Sequence, residues 1–444
     1  MPSTRTLARL LGLAVAAGAA AGLLGVALTL LARAGLDRLV AAAATGGPAR
    51  ALLVLAPAVG GLACALLVLR AAPEVRGPGS IASIAAVTGP AGRVRSRVAL
   101  LHPIGALLTL ALGGSAGREG PMMHAGAAVG SALATGPGLD RSDSRRLQTA
   151  AAAAGVTGAM NTPVAAALLV TPLLLRGRTD ARAVAAIALA VCTAAGAHRL
   201  VAGPGPLFAE LAPIPAVTAF PTWPPFTVVA LLVPAGAAVG LGYVVALRTT
   251  TRAVQRWWPG PRRLDPAFGG LAGGLLLLAA PQVAGSSDML TIGPDLAATT
   301  AWVLVGLLLA KIVATAVGTG FGGSGGVIGP LFVVGVLLGE VVGRAAGSDD
   351  GSARVLGVAA AFAAASRLPA AAVAAAVELT GRLDLTPAAI AVAVGSALVA
   401  VCITRVTLFT PATSPGAGAD GPPTSSTGGE PPQETSAPDP PPER

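Results

Sequence analysis

Charged side chains are scarce in this sequence. They make up 11% of its 444 residues, whereas hydrophobic residues make up 54% and the mean hydropathy is +0.75. Soluble domains usually carry about 25% charged residues. The shortage of charge therefore excludes a water-soluble globular protein and predicts one whose solvent is the lipid bilayer.

Cysteine and histidine are also rare. The three cysteines lie far apart in apolar segments without a CxxC spacing, at Cys64, Cys192 and Cys402. This arrangement argues against disulfides and thiolate metal sites. The histidines form no HExxH or other ligand-spaced cluster, so we expect neither a metal nor a cofactor.

The net charge of +10 is not gathered on one polar face. The basic residues lie in short clusters between apolar runs, which is typical of the cytoplasmic loops of membrane proteins, so we expect no nucleic-acid partner. Clusters at 70–76, 176–182 and 248–263 predict the cytoplasmic side, and the links 203–225 and 281–295, which lack basic residues, predict the outer side. We expect a multi-pass plasma-membrane protein with a cytoplasmic N-terminus and tail.

The stretch 411–444 contains no Leu, Ile, Val or Phe and is rich in Pro and Gly. Such a segment cannot bury enough apolar surface to offset its chain entropy. We therefore predict a membrane domain over 1–410, followed by a disordered cytoplasmic tail.

The membrane domain contains about twelve apolar segments. The first continues from Leu10 to Leu31, which is long enough to span a bilayer, so we interpret it as a transmembrane helix rather than a cleaved signal. Several others are shorter than the roughly 20 residues needed to span, or are interrupted by Gly and Pro. Because lipid tolerates a broken backbone only where protein or a cavity surrounds it, these segments predict a site at mid-membrane.

An internal repeat divides this domain. The stretches 117–121 (GREGP) and 326–330 (GVIGP) share G-x-x-G-P and begin 209 residues apart, and Pro369 follows Pro163 by 206 residues in the Ala-rich segments that come next. Broken helices at matching places in two halves are typical of repeat-built transporters, whose site lies where the halves meet. We place the halves at about 7–202 and 226–410.

Glycine-rich turns that open helices expose backbone N–H groups at a terminus with partial positive charge, and so form an anion site without an ionic side chain. The alternative is that these glycines only allow close helix packing. Glu119 favours the anion site, because its carboxylate could occupy the same amides and leave when protonated. A pair with Arg118, or a plain helix-start acid, is the other interpretation. We expect Glu340 and Glu378 near helix ends or interfaces.

The motifs at 117–121 and 325–330, followed by Arg367–Pro369 and Glu378–Thr380, resemble the CLC chloride channels and proton-coupled anion exchangers. The resemblance runs from Leu10 to Phe409. It implies an all-α polytopic membrane protein with an inverted repeat of about eighteen tilted and partial helices. It also implies a homodimer with one pore per subunit, and we expect no cytoplasmic regulatory domains.

The resemblance assigns roles to individual positions. Glu119 matches the external gating glutamate, which also carries protons in the exchangers. Val327 and Ile328 match residues whose backbone amides hold the central anion. The remaining expected anion-binding positions adjoin these or complete the pore: Gly117, Arg118, Gly120, Pro78, Gly79 and Phe409.

Three positions depart from the family pattern. Pro78 replaces a coordinating serine, Phe409 replaces the pore tyrosine, and the inner proton-relay glutamate falls on Pro172 or Leu173. The loss of two hydroxyl donors predicts weaker chloride binding. Proline at the serine position resembles the nitrate-preferring members, so nitrate preference is a hypothesis. Without the inner glutamate, proton-coupled exchange and uncoupled conduction both stay open.

Two functions from other classes are alternatives to transport. The sequence around Ser324 resembles the G-x-S-G loop of intramembrane serine proteases, but such a protease needs a histidine base, and all three histidines precede it, at His102, His124 and His198. For His124, on the helix that Glu119 opens, we favour a packing role. A purely structural membrane protein would have little use for matched broken helices and a central acid.

Overall fold

The computed structural model describes residues 4–135, 139–211, 223–286, 296, 298–348 and 350–411. Residues Met1–Thr410 form one compact unit. The predicted disordered tail lies outside the described residues from residue 412 onward, as do parts of the two links predicted to face outward.

The described part of the chain folds into fifteen α-helices. Those of the first half are α1 (Thr4–Ala44), α2 (Leu52–Arg70), α3 (Ser80–Thr88), α4 (Val98–Leu110), α5 (Glu119–Leu133), α6 (Arg141–Met160), α7 (Pro163–Leu175) and α8 (Ala181–Ala202). Those of the second half are α9 (Phe226–Trp257), α10 (Asp265–Ala279), α11 (Ala301–Gly320), α12 (Ile328–Ala345), α13 (Ser352–Ser366), α14 (Pro369–Thr380) and α15 (Thr386–Ile403). The all-α prediction is confirmed, and the number of helices is close to the expected eighteen.

Helix lengths fall into two classes. Seven segments of the described chain are long and apolar enough to cross a membrane: Thr4–Ala44, Gly47–Arg70, Ala181–Ala202, Phe226–Trp257, Ala301–Gly320, Ile328–Ala345 and Leu383–Ile403. Others, such as α7 with 13 residues and α14 with 12, are shorter. A helix of that length is about 20 Å long, less than the roughly 30 Å hydrocarbon core. These short helices must end inside the membrane body.

Two helices at matching places in the two halves, α6 and α13, lie inside the protein. Every residue of α6 from Leu147 to Met160 is buried, and so is all but one residue of α13. Their alanines and glycines let neighbouring backbones approach closely: a Cβ on Gly158 of α6 would lie 2.2 Å from the carbonyl oxygen of Gly22 in α1, and one on Gly357 of α13 would lie 2.1 Å from that of Gly335 in α12. Packing of small residues therefore builds the core of each half in the same way.

The backbone repeats where α6 and α13 end. Asn161 and Arg367 both adopt a left-handed conformation, with φ of 53° and 63°, and each caps its helix. The next residue, Thr162 or Leu368, lies outside the helical region in both halves, because a proline follows it and disfavours helical geometry there. That proline, Pro163 or Pro369, opens the next short helix, where its missing N–H costs nothing.

Candidate functional site

The two G-x-x-G-P loops pair with each other. The N–H of Gly117 donates to the oxygen of Gly326 at 2.6 Å, and the N–H of Gly326 donates back to Gly117 at 2.5 Å, which makes an isolated antiparallel bridge. Helix α5 begins two residues after this bridge at Glu119, and α12 begins at Ile328. The N-termini of one helix from each half therefore converge, and both contribute partial positive charge to one place.

Glu119 lies at this convergence. Its side chain is buried, and its Oε2 accepts a hydrogen bond of 3.1 Å from the N–H of Gly329, in the first turn of α12. A Cβ on Gly117 would lie 2.2 Å from Oε2, and one on Gly329 would lie 2.7 Å from Oε1, so these glycines leave the space that the carboxylate fills. We call the pocket formed by Gly117, Gly326 and Gly329 around this carboxylate the amide cradle.

A third loop, Gly77–Gly79, completes the site. The N–H of Gly325 donates to the oxygen of Gly77 at 3.3 Å. A Cβ on Gly120 would lie 1.9 Å from the oxygen of Pro78, so α5 begins directly against this loop. Gly79 has a φ of 75°, which favours glycine, and it stands at the start of α3. The loop expected from sequence to bind anions thus adjoins the other two.

Of the other residues expected to bind anions, some lie beside the cradle, whereas Phe409 lies elsewhere. Arg118, Val327 and Ile328 are all buried beside the cradle. Phe409 is buried in the apolar core, where its N–H donates to the hydroxyl of Thr407. Among the described residues, no hydrogen bond or ring contact joins Phe409 to the three loops.

Tyr243 is a site residue that the sequence reasoning missed. It is the only tyrosine of the chain, it is fully buried in α9, and its hydroxyl donates a 2.6 Å hydrogen bond to the oxygen of Val327. This bond fixes the residue that caps α12. A single tyrosine within a long apolar helix was the available signal, but the family pattern directed attention to Phe409 instead.

Lys311 is the second missed residue. It is the only lysine of the sequence and is fully buried in α11. Its ammonium donates to the oxygens of Val283 and Gly285 at 2.9 and 2.8 Å. An ionisable residue in an apolar membrane helix indicates function by default, and that signal was present in the sequence, but only the acids were considered.

Two histidines lie behind the Gly77–Gly79 loop. The Nδ1 atoms of His102 and His124 are 2.8 Å apart, so one ring donates and the other accepts, and the rings meet edge to face. A Cβ on Gly79 would lie 2.7 Å from Cε1 of His102. The pair therefore supports the loop, which agrees with the packing role expected for His124. Among the described residues, no group of three or more His, Cys, Asp or Glu is placed to hold a metal ion.

Two other acids, Glu378 and Glu340, make structural contacts with neighbouring segments. Glu378 of α14 accepts hydrogen bonds of 2.9 and 2.8 Å from the N–H groups of Val164 and Ala165, and so caps α7 of the opposite half. Glu340 pairs with Arg344 and Arg354. Both acids thus lie at a helix end or an interface, as expected.

The structure also shows where Pro172, Leu173 and Ser324 lie, the residues on which the inner-relay and protease hypotheses depend. Pro172 and Leu173, at the expected position of the inner relay, lie in α7 and carry no titratable group. The Ser324 hydroxyl is buried near Gly105 and has no hydrogen-bond partner in the described part of the chain. A serine nucleophile needs an adjacent base, so this geometry does not support a protease.

Known proteins resemble the chain in sequence. The model of the voltage gated chloride channel family matches residues 59–401. A putative chloride channel protein ClcB-like from Ralstonia nicotianae is 31% identical over 249 residues, which are 55% of this chain. The match spans 56% of that relative, little more than half its length.

Solved structures share the fold. A slow cyanobacterial Cl⁻/H⁺ antiporter superposes with a TM-score of 0.80 at 20% identity, covering 90% of this chain and 96% of its own. A CLC-type fluoride/proton antiporter gives 0.75 at 22% identity over 90% and 97% of the two chains. A eukaryotic CLC transporter gives 0.76 at 18% identity over 92% and 74%. The expected inverted two-half fold is therefore confirmed.

Proposed function

We propose that this chain, which belongs to the voltage gated chloride channel family, carries small inorganic anions across the membrane through the amide cradle. The observation that supports this proposal most directly is the contact between the Glu119 carboxylate and the N–H of Gly329. In this contact, Glu119 from the first half occupies the N-terminus of α12 in the second half. A site that accepts a carboxylate in the membrane body can accept a halide or nitrate in its place.

Glu119 serves as the gate in this proposal. While its carboxylate fills the cradle, no other anion can enter. Protonation removes the negative charge that holds the side chain against the amides, so the side chain can leave and an anion can enter. Helix N-termini suit this task because they attract an anion without a full counter-charge, and release therefore stays fast.

Two transport modes follow from different residues. Glu119 favours proton-coupled exchange, because each opening of the cradle is linked to proton binding. Pro172 and Leu173 favour uncoupled conduction, since neither carries a proton inward. Pro78 supports a preference for nitrate over chloride, because its ring offers no hydroxyl or N–H that would strengthen chloride binding.

Liposomes containing the purified full-length protein test these proposals. The liposomes are loaded with chloride or nitrate, and an imposed membrane potential drives anion efflux. The efflux and the external pH are both recorded. We expect flux with either anion and faster flux with nitrate; equal or faster chloride flux would remove the nitrate hypothesis. Proton movement against its own gradient identifies an exchanger, and its absence identifies a channel.

Glu119→Gln is the matching variant, with Glu210→Gln as its control at an exposed acid. We expect Glu119→Gln to abolish proton coupling and to retain anion flux, while the control changes neither. Unchanged coupling in Glu119→Gln would remove Glu119 from the mechanism.

We also propose that the protein forms a homodimer in the cell membrane. The supporting feature is an apolar groove of about 570 Å³ between α7, α14 and α15, which bears the exposed side chains of Val164, Leu168 and Ile390. Ile390→Trp on this face should lower the dimer fraction counted by single-molecule photobleaching in liposomes. Leu55→Trp, at an exposed residue of α2, should leave it unchanged; equal effects would place the interface elsewhere.

A further inference from the structure

We infer that the hydroxyl of Ser286 is an anion ligand of the amide cradle and that Lys311 is the residue that positions it. This inference rests on the proposed function and adds a specificity determinant that the three glycine loops do not supply. It depends on a segment outside those loops, the turn that follows α10.

The first step is the anchoring of this turn. After α10 the chain makes a short 3-10 turn at Pro281–Val283 and continues to Gly285, whose φ of +65° favours glycine. The ammonium of Lys311 donates to the oxygens of Val283 and Gly285. The oxygen of Ala284 lies 3.5 Å from the same nitrogen. A Lys ammonium has three donors, so three successive carbonyls can be satisfied by one side chain, which fixes the residue that follows them.

The second step is the position of that residue. Ser286 is fully buried, and a Cβ on Gly329 would lie 2.2 Å from its Oγ. The same Cβ would lie 2.7 Å from Oε1 of Glu119. The hydroxyl and the carboxylate therefore lie against one face of Gly329, whose N–H already donates to Glu119. An anion that replaces the carboxylate would lie within reach of both the amide and the hydroxyl.

The third step is chemical. A hydroxyl that donates to an anion makes a charge-assisted hydrogen bond, which is stronger than a neutral one. The chain has no hydroxyl at Pro78 or Phe409, where the family pattern places one. Ser286 supplies such a donor from a different element. The cradle therefore binds anions with one hydroxyl in addition to its backbone amides.

Anion binding to the full-length protein in detergent tests the role of Ser286. Isothermal titration with sodium chloride and sodium nitrate is performed in a Glu119→Gln background, where the carboxylate no longer competes. Ser286→Ala should weaken binding about tenfold to a hundredfold, as expected for one lost hydrogen bond to a charged group. Ser286→Thr keeps the hydroxyl and should restore most of the affinity.

Ser396→Ala is the matched control, since that serine is equally buried but donates to Val233. It should leave the affinity unchanged. Binding within twofold of the background for Ser286→Ala would overturn the inference. If the background protein bound neither anion and the unmodified protein gave no flux, the proposed function itself would fail instead.

A double-mutant cycle tests the positioning role of Lys311. Lys311→Met should weaken anion binding in the Ser286 protein, but should add less than a further twofold loss in the Ser286→Ala protein, because the two residues act through one hydroxyl. An equal loss in both would show that Lys311 acts independently of Ser286 and would overturn its assigned role. If Lys311→Met does not fold, Lys311→Arg, which keeps the charge but changes the donor geometry, replaces it in the same cycle.

Discussion

The two halves of the molecule place different chemistry at equivalent positions. His102 lies 17 residues before Glu119, the first residue of α5, and Lys311 lies 17 residues before Ile328, the first residue of α12. In the first half, His102 forms a hydrogen-bonded pair of imidazoles with His124. In the second half, the ammonium of Lys311 donates to backbone carbonyls. The repeat has kept the backbone architecture and has changed the side chains.

This difference shows how a symmetric scaffold can hold an asymmetric site. The helix N-termini provide similar partial charges from both halves. Glu119, for which we propose the gating role, comes from the first half, and the buried Lys311 comes from the second. Four predictions test this contrast, taken from the largest expected effect to the smallest.

Removal of the Lys311 side chain should destabilise the protein more than removal of the His102 side chain, which is at the equivalent position of the first half. Lys311→Ala leaves the oxygens of Val283 and Gly285 buried without their donor, and each unsatisfied group costs about 1–3 kcal/mol. We expect a destabilisation of about 3–5 kcal/mol in unfolding of the purified protein by increasing fractions of denaturing detergent. A cost equal to that of His102→Ala would mean that the two halves do not differ in this respect.

A substitution in the part of the amide cradle that the second half provides should impair anion binding. In Gly329→Ala the new Cβ meets both the Ser286 hydroxyl and the Glu119 carboxylate. Overpacking of this kind costs about 1–3 kcal/mol, so anion affinity should fall about tenfold or more, as measured by titration with nitrate. Gly273→Ala, where nothing lies within 4 Å, is the control and should bind normally. Unchanged affinity in Gly329→Ala would place the anion away from this residue.

The histidine pair should prove structural. His102→Asn removes the hydrogen bond to His124 and should cost about 1–2 kcal/mol in the same detergent unfolding measurement. Anion affinity should change by less than about threefold, because no charge is lost beside the cradle. A tenfold loss of affinity with intact stability would instead give the first half a direct part in anion binding.

The acids that accept a backbone N–H at the starts of α6 and α13 should behave alike. Asp140 accepts the N–H of Asp143 and caps α6, and this bond lowers the pKa of the Asp140 carboxyl. A lowered folded-state pKa stabilises the protein above the unfolded value of about 4, and this stabilisation is lost as the pH falls through the folded pKa. Asp140→Ala should therefore cost about 1 kcal/mol at neutral pH and less at about pH 3, which is below the unfolded value.

Asp350 provides the comparison in the second half, where it accepts the N–H of Ser352 at the start of α13. Asp350→Ala should reproduce the loss seen for Asp140→Ala, measured as thermal unfolding at the two pH values. A cost for Asp140→Ala that does not diminish in acid would show that the carboxylate is not the source of its effect.

Much of the site could be predicted from the sequence because its elements are local. The glycines at 117, 120, 326 and 329 mark turns that open helices, and Glu119 lies within one of those turns. The nearly constant offset between matching motifs of the two halves then indicates that the turns meet. Glu378 shows the limit of this reasoning: its position near a helix end could be anticipated, but its partner, the N-terminus of α7, lies over 200 residues away.

Composition and hydropathy indicated the membrane solvent, and the two short G-x-x-G-P motifs indicated two related halves with an acid, Glu119, at a helix start. Each of these features is visible in the sequence alone, because it depends on composition or on a motif of a few consecutive residues. Only the tertiary structure showed three long-range hydrogen bonds. They join Tyr243 to Val327, Lys311 to the turn before Ser286, and His102 to His124. These contacts join separate segments, and several chemically equivalent partners were available to each. Only the packing of the helices brings one of those partners within hydrogen-bonding distance.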